Sequence, residues 1–66
     1  MLQIWNSVVG DAIAEVTVLQ RFSEGKLYVV VKNSSWRMEL SFRKQDIIIR
    51  LNDALGILMV QDIILR

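Results

Sequence analysis

A chain of 66 residues with eight basic and seven acidic side chains and neither cysteine nor histidine is one domain near the lower limit for folding alone, since such a chain buries only about 60% of the surface its unfolded form exposes. Disulfides and the usual zinc sites are excluded, no cofactor is expected, and a reducing cytoplasm is the expected compartment. The longest apolar run, Ala54 to Val60, falls far short of the roughly 18 to 20 residues that span a bilayer, and the N-terminus has neither the basic start nor the cleavage site of a signal peptide.

The net charge of +1 exerts little long-range attraction on nucleic acid. The hydrophobic fraction of 53% is high for a chain with so little interior. Some apolar surface is therefore expected to meet a partner or a second copy.

With no proline, repeat or linker, residues 1–66 read as one compact unit whose turns fall at its few glycines. From Leu2 to Glu15, residues Ile4, Trp5, Val8, Val9, Ala12 and Ile13 follow a helical spacing and predict a first helix with one apolar stripe. Gly10 lies inside it, at a cost of up to about 1 kcal/mol relative to alanine, which a close approach of helix to sheet is expected to offset. Val16 to Phe22 and Lys26 to Lys32 are β-branched and aromatic and predict a hairpin around "SEGK", with Gly25 at a position suited to positive φ. Leu27, Val29 and Val31 share one face of the second strand, expected to point to the core, and Tyr28, Val30 and Lys32 share the other.

From Ser35 to Leu55 the period is helical again, with Trp36, Leu40, Ile47, Leu51 and Leu55 on one stripe and Gly56 as the C-terminal cap. Ser35, or Ser34 one residue earlier, is expected to cap the start, so that Ser35→Ala costs about 1 kcal/mol. Trp36 opens the core stripe, and its truncation to alanine is expected to cost about 3 to 5 kcal/mol. A last strand over Ile57 to Leu65 pairs with the hairpin, parallel to the strand before the helix. The fold class is α+β, in the order α-β-β-α-β, a compact three-stranded mixed sheet with helices packed on one face.

No catalytic constellation is visible. Nucleophilic catalysis would need a base beside a serine or threonine, and with histidine absent only lysines and carboxylates remain. Asp46 and Asp53 share a helix face, yet seven residues separate them by about 10 Å along the axis, too far to hold one ion. Asp11 and Glu15 read as solvated surface, and the isolated glycines form no phosphate loop. The expectation is a protein that is not an enzyme and binds no metal.

The second helix offers more. Opposite its core stripe an uninterrupted helix displays Met38, Phe42 and Ile49 among Glu39, Gln45, Asp46 and Asp53, a candidate partner-binding surface. The alternative is a kink near Ser41 to Gln45 that rephases the helix and buries them. Lys32, Arg37 and Lys44 near the helix start, with Arg21 and Arg66 on the outer face of the sheet, are candidate nucleic-acid contacts. Their alternative is ordinary surface charge. A homodimer through Tyr28 and Val30, or through an exposed strand edge, is a third reading of the surplus apolar surface.

Taken together, "IWNSVVGDAIAEVT", "GKLYVVVKNSSWRMEL", "RLNDALG" and "VQDIILR" resemble the DciA family of bacterial replication proteins. The resemblance rests on Trp5, Val9, Gly10, Ala14 and Thr17; on Leu27 and Val29; on Ser34, Ser35, Glu39 and Leu40; and on Leu51, Asn52 and Gly56, and it covers nearly the whole chain. It implies a domain similar to the KH fold and a non-enzymatic adaptor that binds the replicative DNA helicase and assists its loading, with DNA bound by some members partly through basic extensions. KH domains grip nucleic acid with a Gly-x-x-Gly loop, which this sequence lacks, so that mode is not carried over. Most members carry a further segment ahead of the equivalent of Trp5, which implies either a fragment or an unusually short member.

Overall fold

The computed structural model describes residues 2–66. Its elements are α1 (Leu2–Val9), α2 (Asp11–Glu15), β1 (Thr17–Ser23), β2 (Lys26–Val31), α3 (Ser34–Leu55) and β3 (Asp62–Leu65). The three strands form one sheet in the order β1-β2-β3, with β1 antiparallel and β3 parallel to β2. The expected α+β class and element order are what forms.

The single first helix is not. Gly10 adopts φ 87° and ψ 168° and splits the segment into α1 and α2. Nor does the helix approach anything closely there, because a Cβ built on Gly10 meets nothing within 4 Å. The glycine is required by its backbone angles, which an L side chain rarely adopts, rather than by a crowded neighbour.

The kink aims Trp5 inward. Its ring is 1% exposed, and its Nε1–H donates to the Thr17 hydroxyl at 3.0 Å. That hydroxyl in turn donates to the Ile13 carbonyl at 2.9 Å. One buried side chain at the start of β1 therefore ties α1 to the last turn of α2, and no polar atom of the pair goes unsatisfied.

Leu27, Val29 and Val31 are buried as the alternation in β2 requires, and they meet Leu40, Ile47, Ile48 and Leu51 of α3 in one core with Trp5, Ile13, Val60 and Ile63. Strand β1 departs from simple alternation. The register shifts between Leu19 and Arg21, so the extra residue Gln20 lets Leu19 and Phe22 both pack against the core while Arg21 turns to the outer face.

The entry to α3 also differs from expectation. The cap is Asn33, whose side chain accepts the Trp36 backbone N–H at 3.0 Å. Ser34 and Ser35 are exposed helical residues. Asparagine reaches this N–H because Asn33 keeps extended backbone angles while its successors are already helical. Trp36 is only partly buried against the core, so its truncation costs less than the figure for a fully buried ring. Gly56 closes the helix at φ 78° as expected.

The last strand is shorter than predicted, Asp62–Leu65 rather than Ile57–Leu65. Asn52 is the reason. Its side-chain oxygen accepts the N–H groups of Met59 at 3.1 Å and Val60 at 2.8 Å, and its amide donates to the Val60 carbonyl at 2.9 Å. The backbone of that segment is satisfied by a buried side chain and needs no strand partner.

Two outcomes follow from these joints. Thr17→Val, which leaves the Trp5 N–H buried without an acceptor, lowers stability by about 1 to 3 kcal/mol in urea unfolding, whereas Thr17→Ser retains most of it. Asn33→Ala costs about 1 kcal/mol while Ser35→Ala stays within about 0.5 kcal/mol in the same measurement.

Candidate interaction site

Helix α3 runs unbroken through Ser41 to Gln45, so the rephasing that would bury Met38, Phe42 and Ile49 does not occur. They are 64%, 79% and 59% exposed. Spacings of four and seven residues place them in one row along the outer side of the helix. Two ion pairs run beside the row, Arg43 to Glu39 at 2.8 Å and Arg50 to Asp46 at 3.0 Å, each spanning one helical turn. Exposed pairs of this kind add little stability; their effect here is to neutralise charge next to the apolar row. A partner covering Phe42 has no net charge to desolvate beside it.

The predicted basic residues do not form one patch. Arg37 turns inward, its Nη2 donating to the Val31 carbonyl at 3.0 Å while its Nε is buried without a partner. It fastens the first turn of α3 to the end of β2, so its guanidinium is largely committed to the protein. Lys44 lies 3.4 Å from the Asp62 carboxylate. Lys32 is exposed just past β2.

Arg21 and Arg66 are brought together on the other side of the molecule. Both guanidiniums lie over the Tyr28 ring, at 4.5 and 5.2 Å from its centroid. The bulge in β1 makes this arrangement, since regular alternation would send Arg21 to the same face as Leu19. Sequence reasoning placed all three residues on the outer face without seeing that they stack; the Leu-Gln-Arg-Phe spacing was the available signal.

The Trp36 side chain, with Asn33, Ser35, Glu39 and Arg43, borders an open hollow beside the helix start. Its cap and ion-pair partners are already engaged with one another. Among the described residues no cluster of three or more carboxylates is placed to hold a metal, and no helix is long and apolar enough to cross a membrane.

The molecule is a small α+β scaffold whose one long helix carries an exposed apolar row. The family model of DciA, described as the Dna[CI] antecedent, matches residues 1–65, and the chain belongs to the DciA family. That is a family of DNA replication, associated with helicase loading and not with a known enzymatic activity. No curated protein is significantly similar to the chain.

The commitment of Arg37 to the fold gives a measurable outcome. Arg37→Met leaves the Val31 carbonyl without that donor and lowers stability by about 1 kcal/mol, whereas Lys32→Ala changes it by less than about 0.5 kcal/mol in the same unfolding measurement.

Proposed function

We propose that this chain is a non-enzymatic adaptor that binds the replicative helicase during its loading on DNA, and that Met38, Phe42 and Ile49 form the contact. Membership of the DciA family supports the partner. The observation that carries the surface is the exposed apolar row on an unbroken α3, flanked by internally paired charges. Large apolar side chains grouped on a small surface stabilise a complex when covered and contribute nothing to the free protein.

A second reading concerns DNA. The Arg21–Tyr28–Arg66 stack offers an aromatic ring and two cations on an open sheet face, a combination that suits unpaired bases and their phosphates. Lys32 could add a backbone contact; Arg37 and Lys44 are occupied within the protein.

The two readings separate in one set of titrations against the cognate helicase and against single-stranded DNA at two salt concentrations. Phe42→Ala together with Ile49→Ala is expected to weaken helicase binding by about tenfold or more, with melting unchanged. Helicase binding by the double variant at wild-type strength would remove the assigned surface, and no binding by the wild-type chain would remove the adaptor reading. For DNA, affinity that falls steeply with salt and is lost in Tyr28→Ala supports the outer-face site.

A further inference from the structure

Strand β3 is an edge. Its inner side pairs with β2, where Asp62 N–H donates to Gly25 at 3.2 Å, Arg66 N–H donates to Val29 at 2.9 Å, and the Arg66 carbonyl accepts from Val31 at 2.9 Å. Because successive backbone groups of a strand point to opposite sides, the N–H and C=O groups of Ile63 and Leu65 face outward, away from the sheet. The position of the Ile63 N–H agrees with this, since it donates to the carboxylate of its own neighbour Asp62 at 2.8 Å.

The sequence of this edge, Asp62-Ile63-Ile64-Leu65-Arg66, is acidic at one end, basic at the other and apolar between. Turned end for end it complements itself. If a second copy lies antiparallel and Ile64 faces its own equivalent, Ile63 of each chain faces Leu65 of the other. Those are the residues whose backbone groups point outward, so each facing pair can exchange two hydrogen bonds. The same register sets Asp62 against Arg66 at both ends, and opposite charges directly across an antiparallel pair are favourable.

We infer that β3 is a self-association edge, through which two copies join their sheets about a two-fold axis at Ile64. Groups along the edge fit the arrangement. Met38 and Ser41 of α3 border, with Ile63 and Leu65, an open groove on the helix side of this strand, and the incoming Ile63 and Leu65 side chains lie on that side. Asp62 blocks the edge in the free chain by taking the Ile63 N–H and the Lys44 ammonium. In the dimer the N–H passes to the Leu65 carbonyl of the second copy and the carboxylate turns to its Arg66. Five residues a side is a small contact for a permanent dimer, so the association is weak and depends on concentration.

The charge pattern supplies the test. Asp62→Arg gives an edge with a base at both ends and Arg66→Asp one with an acid at both ends, so each opposes itself and each complements the other. Sedimentation equilibrium of the wild-type chain is expected to show the mass rising from 7.6 kDa toward twice that value with concentration. Each variant alone is expected to associate roughly tenfold more weakly or less, and an equimolar mixture of the two to recover association as a heterodimer. Circular dichroism is the control for folding of both variants. In the wild-type chain, hydrogen exchange at the Ile63 and Leu65 amides slows as concentration rises. A wild-type chain that stays at 7.6 kDa into the millimolar range, or variants that self-associate as the wild type does, would overturn the inference. So would a mixture no stronger than its components. None of these readouts involves the helicase, so this inference stands or fails apart from the adaptor reading.

Discussion

The hydrogen bond from the Trp5 indole to Thr17 is the joint on which the arrangement of the helical layer depends. A domain of this size has few core residues, and the break at Gly10 detaches α1 from the segment that leads into the sheet. Thr17 restores the link with one hydroxyl, accepting from α1 and donating to α2. Trp5 then fills the space beneath α1, and α1 packs against α3. With the inner side of α3 held this way, the row of Met38, Phe42 and Ile49 has no place in the interior. The exposure of that row is thus a consequence of how the core closes.

Asn52 acts similarly at the other end. Three hydrogen bonds from one side chain hold the segment between α3 and β3, which lets β3 return beside β2 without a longer connection. Both joints are polar groups inside an apolar core. Each is satisfied, so each adds a specific geometry that apolar packing alone would leave degenerate.

Much of the fold could be read from the chain because its periodicities are strong. The alternation of Leu27, Val29 and Val31 and the helical stripe from Trp36 to Leu55 point to one core, and the structure buries all of these but Trp36 and Leu55, which are partly buried at the two ends of the stripe. The exposed row on α3 follows from the same stripe. What escaped were features decided by single backbone positions. "NSS" contains three residues able to cap a helix, and the choice among them turns on which one keeps extended angles. Gly10 fits a helical spacing on both sides yet adopts angles that no helix contains. The bulge at Gln20 interrupts a period that seven residues are too few to establish. Arg21, Tyr28 and Arg66 were each expected on the outer face, but their stacking depends on the bulge and was not legible.

Five of the residues that carry the family resemblance are these joints. Trp5 and Thr17 make the buried bond, Asn52 holds the connection to β3, and Gly10 and Gly56 supply positive φ. Met38, Phe42 and Ile49 are not among them. Those five residues set the scaffold and leave the row of Met38, Phe42 and Ile49 exposed on the outer side of α3. Gly10 shows how narrow such a scaffold requirement can be. The space an ordinary side chain would enter there is open, so what bars other natural residues is handedness alone: φ 87° is strained for an L residue and relaxed for one of the mirror-image series. At that position the fold asks for a chirality, and glycine is the one encoded residue that does not refuse it.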